Sequence, residues 1–324
     1  MTFADRATAP RARERIRDTD DFGDALLDGL RAAPKTIPCK YFYDTAGSKL
    51  FEKISVLPEY YLTRTELSLL SRHADEIASL FGPDAEIVEF GAGASDKIRI
   101  LLARLVRPHV YMPMDISAAY IKTIAGELEA DYPDLLVNPI VADFSLTLPS
   151  TVFSHDVRRR VGFFPGSTIG NFTRDGAKQF LDGAARLLRG GGLLIGVDLV
   201  KDPAILHAAY NDAAGVTAAF NKNLLMRANR EAGANFDLAR FAHYAPYNPV
   251  EQRIEMYLMS TTAQRASVCG RWIAFADGEA VNTEYSYKYT LDGFQALAKS
   301  AGFIPRAVWC DADRLFSVHW LEAA

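Results

Sequence analysis

A glycine turn and two aspartates, each placed directly after an apolar segment, are the residues of this chain best suited to hold a nucleotide-like ligand. Gly91 and Gly93 follow the apolar segment 86–90, and a ligand can approach glycine backbone closely because it has no Cβ. Asp115 follows the next apolar segment, and Asp143 the one after that. A carboxylate at the position of Asp115 can accept two hydrogen bonds from a ribose. That feature is shared by sites for NAD and for S-adenosylmethionine, so it leaves both cofactors open.

Three further features favour S-adenosylmethionine. The dinucleotide fingerprint G-x-G-x-x-G lacks its third glycine, because Asp96 stands there, and this argues against a pyrophosphate. The pair Asp143-Phe144 offers an adenine a carboxylate for its exocyclic amine and an aromatic ring beside it, and the less favoured alternative is that Asp143 caps a helix. By analogy of fold, a C-terminal antiparallel hairpin is typical of methyltransferases that use this cofactor. Lys97, one turn into the following helix, can reach the cofactor's carboxylate or stay solvated.

Alternating strands and helices must position these residues. The predicted strands cover 86–90, 109–114, 136–142, 160–165 and 193–197, and the predicted helices 95–107, 117–131 and 173–189. Near-continuous apolar strands joined by helices indicate a parallel sheet covered on both faces, with ligands beyond the carboxyl ends of its strands. A helix over 291–301 and two strands over 304–310 and 315–321 return to this sheet as an antiparallel hairpin. We therefore predict an α/β fold with a doubly wound, seven-stranded, Rossmann-like sheet and a C-terminal antiparallel hairpin.

Between residues 200 and 288 this alternation lapses. The pattern predicts two helices and then three strands of alternating polarity, over 203–213, 216–230, 251–260, 265–275 and 280–289. These segments predict a second, α+β, substrate-binding domain made of residues 19–60 and 200–288. Residues 61–199 with 289–324 then form the cofactor-binding domain, and residues 1–18 are predicted to be a disordered terminus. Thr63-x-x-Glu66 is a capping-box pattern and predicts the start of a helix.

Composition narrows the class of protein. The 324 residues carry a net charge of −4 with a pI near 5.9, which disfavours a nucleic-acid partner. The three cysteines are far apart and form no C-x-x-C pair, so they predict reduced thiols and no metal site. The chain shows no apolar run of about 18 residues and no signal peptide at its start. We expect a cytoplasmic protein that binds neither nucleic acid nor membrane, and a monomer, because no long exposed apolar stripe is evident.

A set of short segments in both halves of the chain carries a closer resemblance. They are Lys40-Tyr-Phe-Tyr-Asp44, Leu57-Pro-Glu-Tyr-Tyr61, Thr63-Arg-Thr-Glu66, Gly166-Ser-Thr-Ile-Gly-Asn171, Tyr210-Asn-Asp-Ala-Ala-Gly-Val-Thr-Ala-Ala-Phe-Asn221, Arg253-Ile-Glu-Met256 and Thr283-Glu-Tyr-Ser286. The set resembles the motifs of bacterial histidine Nα-methyltransferases, which make hercynine on the way to ergothioneine. The resemblance runs from about residue 20 to the end. It implies that three methyl groups pass from S-adenosylmethionine to the α-amine of L-histidine.

The resemblance also implies roles for particular residues. For the cofactor it implies Gly91, Lys97, Asp115, Asp143 and Phe144. For the substrate it implies Asn171 and Tyr210 at the carboxylate end, Tyr60, Glu284 and Ser286 around the imidazole ring, Met256 lining the pocket, and Tyr43 and the Gly166 backbone near the amine. Leu62 stands where this family is expected to have proline. The amine must lose a proton before each transfer, and we expect either Tyr43 or water to handle it.

The residue types fit an imidazole independently of the resemblance. A neutral ring has one N–H donor and one acceptor, and a charged ring has two donors. Glu284 and Ser286, two apart on a strand, share one face, where the carboxylate can take an N–H and the hydroxyl can give or take. Three of the residues assigned to the substrate also have a simpler interpretation. Glu284 is then a solvated strand residue, Asn171 a helix cap, and Tyr210 a half-buried helix residue.

Other functions stay open at this level. The same fold could methylate another aromatic amino acid, such as a tryptophan derivative, although Glu284 and Ser286 argue against it. An NAD(P)-dependent oxidoreductase is disfavoured by the broken fingerprint. A nucleic-acid methyltransferase is disfavoured by the acidic balance, and a regulatory protein that only binds the cofactor by the intact substrate motifs.

Overall fold

The computed structural model describes residues 22–146, 153 and 159–324, so the predicted disordered terminus, 1–18, lies outside the described residues. The helices are α1 (Phe22–Arg31), α2 (Thr45–Ser55), α3 (Tyr61–Arg72), α4 (Ala74–Phe81), α5 (Asp96–Leu102), α6 (Ala118–Asp131), α7 (Arg174–Leu187), α8 (Pro203–Tyr210), α9 (Val216–Glu231) and α10 (Leu291–Ser300). The strands are β1 (Lys35–Thr36), β2 (Glu86–Phe90), β3 (Val110–Asp115), β4 (Leu136–Val137), β5 (Ile140–Val141), β6 (Arg160–Phe164), β7 (Gly192–Asp198), β8 (Phe241–Tyr244), β9 (Tyr247–Asn248), β10 (Arg253–Ser260), β11 (Gln264–Val268), β12 (Arg271–Phe275), β13 (Ala280–Tyr287), β14 (Phe303–Cys310) and β15 (Phe316–Ala323).

The large sheet confirms the predicted fold class. Its strand order is β14-β15-β7-β6-β2-β3, and the short strands β4 and β5 share the position beyond β3. The pairings from β7 to β5 are parallel, whereas β15 lies antiparallel to β7 and β14. The sheet thus has seven strand positions and ends in an antiparallel hairpin. The predicted third strand is interrupted at Pro139, which has no amide hydrogen to continue the ladder.

Side chains of the large sheet alternate between two apolar cores. On β2, Val88 and Phe90 join the core that includes α7 and α10. Ile87 joins the core on the other face, with α3, α4 and α5. The near-continuous apolar strands follow from this arrangement, because both faces of the sheet are buried.

A second, smaller sheet contains two of the three strands that were predicted between residues 251 and 289. Its order is β1-β13-β10-β8, with β9 also paired to β10. The single strand predicted over 265–275 is wrong, because this segment forms the separate hairpin β11–β12. Cys269 and Gly270 take left-handed backbone angles, with φ of 48° and 71°, and reverse the chain there.

Backbone contacts connect the end of β13 with the end of β7. The Tyr289 amide donates to the Asp198 carbonyl, and the Val200 amide donates to the Tyr289 carbonyl, both at 3.0 Å. The smaller sheet therefore meets the large one at the carboxyl edge, where doubly wound folds bind their ligands. The division of the chain into two domains at the predicted boundaries stays a prediction.

Two helix predictions near this edge are wrong in detail. The capping-box pattern places a helix start at Thr63, but α3 already begins at Tyr61. Glu66 is buried, with 1% of its surface exposed, and its carboxylate bonds to another loop instead of the helix start. Helix α5 ends at Leu102, well short of the predicted residue 107. Among the described residues, none of the helices is long and apolar enough to cross a membrane.

Candidate active site

One cavity of about 740 Å³ lies where the two sheets meet, and it is lined by every residue predicted to bind cofactor or substrate. The cofactor set comprises Gly91, Gly93, Lys97, Asp115, Asp143 and Phe144. The substrate set comprises Tyr43, Tyr60, Gly166, Asn171, Tyr210, Met256, Glu284 and Ser286. The fold thus brings both sets together, whereas the role of each residue stays a prediction.

The turn after β2 has the shape of a cradle. Gly91 adopts a φ of 72°, a left-handed angle that side chains disfavour, and its amide donates to the Met114 carbonyl at 2.9 Å. A Cβ at Gly91 would lie 3.3 Å from the ring of Phe144, which therefore covers the turn closely. A Cβ at Gly93 would meet no atom within 4 Å, so open space lies over that glycine. Together they leave a bare stretch of backbone for a ligand.

The two aspartates at this end of the cavity differ in charge environment. Burial raises the pKa of Asp115 to about 6, although its Oδ1 accepts the Ser117 amide at 2.8 Å. Burial also acts on Asp143, but hydrogen bonds from Ser145 and Lys40 outweigh it and lower the pKa. The Lys40 Nζ lies 3.1 Å from Asp143 Oδ2, and the Ser145 amide lies 2.9 Å from Oδ1. Asp143 therefore caps a turn at residues 144–145.

Lys97 reaches a protein carboxylate across the cavity wall. Its Nζ lies 2.6 Å from Glu66 Oε2, and the Gly166 amide donates to both oxygens of Glu66 at 3.0 and 2.9 Å. Glu66 thereby ties α3 to the start of the segment 166–171. Strand β7 admits this carboxylate only because Gly196 lacks a side chain: a Cβ there would lie 2.1 Å from Glu66 Oε1.

The segment 166–171 is also fixed from the other side. Gly166 and Ser167 both have left-handed backbone angles, with φ of 78° and 56°. The Ser167 hydroxyl accepts the Asp198 amide at 2.9 Å, which holds this strained turn against the end of β7. Asn171 follows within the same segment, and its side-chain amide lies 3.5 Å from Glu284 Oε2.

Glu284 is a buried carboxylate on the smaller sheet. It pairs across the strands with Met256, and the preceding residue of β13, Thr283, is left out of the pairing and shifts the register. Burial raises the pKa of Glu284 to about 7, and the charge of Lys288 opposes that rise. The simpler reading of Glu284 as a solvated strand residue is therefore wrong, because only 9% of its surface is exposed.

Ser286 and Tyr210 meet beside Glu284. Their hydroxyl oxygens lie 2.8 Å apart, and Lys288 Nζ lies 2.8 Å from Ser286 Oγ and 3.1 Å from the Tyr210 hydroxyl. Lys288 also forms an ion pair of 2.7 Å with Asp198. Burial would raise the pKa of Asp198, but the adjacent lysines outweigh it and lower that pKa.

Aromatic rings form the remaining wall. Tyr43 packs edge-on against Phe51 and Phe220, with ring centroids 5.7 and 5.9 Å apart, and Phe51 in turn packs against Tyr60 at 6.2 Å. Burial raises the pKa of Tyr43 well above its usual value of 10, and the charge of Glu284 adds to this effect. The Tyr43 phenol therefore keeps its proton at neutral pH.

Three residues that support the site were given no role in it from the sequence. Lys288 continues the alternation of Glu284 and Ser286 along the same strand face, so a signal for it was present. Asp198 directly follows the predicted strand 193–197, and the sequence therefore places it at the ligand edge. The buried position of Glu66 could not be predicted, because a glutamate three residues after a threonine has the sequence pattern of a capping box.

Comparison with known proteins gives a consistent result. The family model described as "Histidine-specific methyltransferase, SAM-dependent" matches residues 22–323. Histidine N-alpha-methyltransferase of Mycolicibacterium smegmatis is 43% identical over 87% of this chain and 89% of its own length. The protein of the same name from Mycobacterium tuberculosis is 40% identical over 88% and 90%. Ergothioneine biosynthesis protein 1 of Neurospora crassa is 29% identical over 85% of this chain and 32% of its own length. The chain therefore belongs to the family of histidine-specific, S-adenosylmethionine-dependent methyltransferases.

Proposed function

We propose that this protein transfers three methyl groups from S-adenosylmethionine to the α-amine of L-histidine and so makes hercynine for ergothioneine biosynthesis. The observation that carries the proposal is a buried carboxylate beside a hydroxyl, Glu284 and Ser286, in the same cavity as the glycine turn and Asp115. An imidazole complements that pair, because it has an N–H for the carboxylate and a second nitrogen for the hydroxyl.

The cofactor end of the cavity suits an adenosyl amino acid. Asp115 is proposed to accept the ribose hydroxyls, and Asp143 with Phe144 to hold the adenine. The bare backbone at Gly91 and Gly93 leaves room for the amino-acid end, with Lys97 near its carboxylate. When bound, S-adenosylmethionine supplies a methyl group on a sulfonium sulfur, which an amine lone pair takes by in-line displacement.

The protein's own contribution is orientation. Glu284 and Ser286 are proposed to hold the ring, with Tyr60 and Met256 beside it, while Asn171 takes the carboxylate and Tyr210 lies between carboxylate and ring. Holding the amine in line with the methyl group is worth several kcal/mol in favourable cases. The Gly166 backbone lies near the amine, where the lack of a side chain leaves room for successive methyl groups.

The aromatic wall suits the product's charge. A trimethylated amine is a permanent cation, and the rings of Tyr43 and Tyr60 can stabilise it by cation–π contact, worth about 0.5–2 kcal/mol each. Tyr43 holds its own proton at neutral pH, so we propose that it relays the amine's proton to water and does not act as a phenolate base.

Titration calorimetry with histidine, tryptophan and hercynine, each with and without S-adenosylhomocysteine, tests the proposal. We expect histidine to bind more tightly than tryptophan, and mass spectrometry of the reaction to show mono-, di- and trimethylated histidine. A site that prefers tryptophan would point to another aromatic amino acid as substrate. Failure to bind any imidazole amino acid would overturn the assignment of histidine.

Tyr43→Phe tests the proton relay. The substitution keeps the ring but removes the hydroxyl, so we expect kcat at pH 7 to fall by about 100-fold or more, the usual range for lost proton transfer. The KM for histidine should change little, since the aromatic wall remains. Rates that match the unsubstituted enzyme from pH 6 to pH 9 would exclude Tyr43 from handling the proton.

A further inference from the structure

Lys288 is a fully buried lysine directly behind the wall of the cavity. It follows β13 and does not line the cavity itself, whereas Ser286 and Tyr210 do. Its ammonium group has three N–H donors, and each has a partner: Asp198 at 2.7 Å, Ser286 at 2.8 Å and Tyr210 at 3.1 Å. Lys288 therefore acts as a donor to both hydroxyl oxygens from the side away from the cavity.

These contacts decide which way the Ser286 hydroxyl can point. The Tyr210 and Ser286 oxygens lie 2.8 Å apart, and one of them donates to the other. A phenol is more acidic than an alkyl hydroxyl, so Tyr210 is the donor of this pair. Ser286 Oγ then accepts from both Lys288 and Tyr210, which fills its two lone pairs. Its one remaining hydrogen-bonding function is to donate its own proton.

We propose that Lys288 is a positioning residue that makes Ser286 an obligate hydrogen-bond donor, so that the site binds the neutral form of an imidazole ring and rejects the charged form. The inference rests on the proposed function. In a neutral ring, one nitrogen donates to Glu284 and the other accepts from Ser286. In a charged ring both nitrogens carry hydrogen, and one N–H would face the Ser286 proton.

The other titratable groups around Glu284 keep one charge state in the useful pH range. Burial raises the pKa values of Tyr43, Tyr60 and Tyr210 well above 10, and that of Cys39 to about 12. Between pH 5.5 and 7.5 these groups stay neutral. Two further carboxyl groups that line the cavity titrate in or near this range, because burial raises the pKa of Asp115 to about 6 and that of Glu89 to about 8. Loss of histidine affinity in this range therefore has two sources: the carboxyl groups of the protein, Glu284 among them, and the ring of the ligand.

A neutral analogue separates these two contributions. In 1,2,4-triazolylalanine one ring carbon of histidine is replaced by nitrogen, and its ring stays neutral from pH 5.5 to 7.5. The dissociation constants of histidine and of this analogue can be measured by calorimetry with S-adenosylhomocysteine present. Protonation of Glu284 affects both ligands, whereas protonation of the ring affects histidine alone.

We expect histidine to lose about tenfold more affinity than the analogue when the pH falls from 7.5 to 5.5, because its ring titrates near pH 6.5. In Lys288→Met a lone pair of Ser286 becomes free to accept from a charged ring, so the extra loss should shrink to about twofold or less. Lys201→Met is the matched control. Lys201 also pairs with Asp198, but its hydrogen bonds go to Asp198, Tyr61 and the Leu199 carbonyl, so the tenfold difference should persist.

The inference would be overturned if the affinities of histidine and the analogue fell in parallel with pH in the unsubstituted enzyme. It would also be overturned if the Lys288→Met variant kept the full tenfold difference between the two ligands. If Lys288→Met does not unfold cooperatively, Tyr210→Phe replaces it. That variant removes the second donor to Ser286. It should also reduce the tenfold difference between histidine and the analogue in the affinity lost from pH 7.5 to pH 5.5. If neither ligand binds at any pH, the proposed function itself fails, and this outcome differs from parallel profiles.

Discussion

The two ends of the cavity are built by different means. At the cofactor end, Gly91, Asp115 and Asp143 each lie at or just after the end of a strand of the large sheet, and neighbouring strands present them in chain order. At the amino-acid end, where histidine is proposed to bind, buried charges join distant segments: Asp198 pairs with Lys288, and Glu66, which bonds to the Gly166 amide, pairs with Lys97 of the cofactor end. The cofactor end is a row of groups on successive strands with one partly exposed ion pair, Asp143 with Lys40, whereas the amino-acid end is a buried network.

This difference has an energetic consequence. A group in a buried network has partners that are costly to leave unpaired, so its removal affects the stability of the whole protein. A group that projects singly into a cavity can be changed with a smaller effect on the fold. Substitutions at the two ends should therefore separate into those that change stability and those that change ligand binding.

The largest expected effect is on stability, at Asp198. Asp198→Asn removes the negative charge between the buried Lys288 and Lys201 and should lower the free energy of unfolding by about 3–5 kcal/mol. Urea denaturation at pH 7.5 measures it. Asp115→Asn is the matched control at the cofactor end. Burial raises the pKa of Asp115 to about 6, so the charge of this carboxylate opposes folding. Equal losses from the two substitutions would contradict the comparison.

An intermediate effect is expected at Glu284, with opposite signs for stability and activity. Burial raises its pKa from about 4.5 to about 7, so the stability that protonation provides is complete below pH 4.5 and is lost as the pH rises through 7. Glu284→Gln, which is neutral at every pH, should therefore be more stable than the unsubstituted protein by about 1–3 kcal/mol at pH 8.5. At pH 4.5 the two should have similar stability.

The same substitution should weaken histidine binding. Loss of a charged hydrogen-bond partner costs about 1.5–3 kcal/mol, which corresponds to a rise in KM for histidine of roughly 10–150-fold. Thermal unfolding at both pH values and steady-state kinetics measure the two effects. The affinity for S-adenosylhomocysteine serves as the control and should stay unchanged, because Glu284 lies at the other end of the cavity. A destabilised variant at pH 8.5 would show that Glu284 is held by its partners more strongly than burial opposes it.

The smallest effect is expected at the glycine turn. Gly91→Ala places a side chain at a φ of 72°, which costs about 1–2 kcal/mol, and its Cβ meets the ring of Phe144. Gly93→Ala meets no atom within 4 Å and should change the free energy of unfolding by less than about 0.5 kcal/mol. Urea denaturation and titration with S-adenosylhomocysteine compare them. If Gly91→Ala weakens histidine binding as much as cofactor binding, the two ends are coupled.

The cofactor end could be predicted from the sequence because its signals are local. A strand, a turn and an acid at the end of the next strand all lie within a few dozen residues, and the parallel order of the strands places them together. Glu284 and Ser286 were also predictable, because an alternation of two residues assigns them to one face.

The network at the amino-acid end could not be predicted in the same way. Glu66 bonds to the Gly166 amide, a contact that no local pattern encodes, and its position after Thr63 indicated a helix cap instead. The reversal at Cys269 and Gly270 was missed because a β-favouring segment continues on both sides of it. Contacts between distant segments depend on the tertiary fold, and single-sequence patterns carry little information about them.

Gly196 constrains how this chain can vary. Because a Cβ there would overlap the Glu66 carboxylate, a larger residue at 196 is tolerable only when position 66 changes too, and the new residue at 66 must still accept the Gly166 amide. We expect Gly196→Ala and Glu66→Asp to be harmful singly and to compensate in part when combined. Related sequences that keep this cavity should therefore change positions 66 and 196 together, because a substitution at either position alone lowers stability.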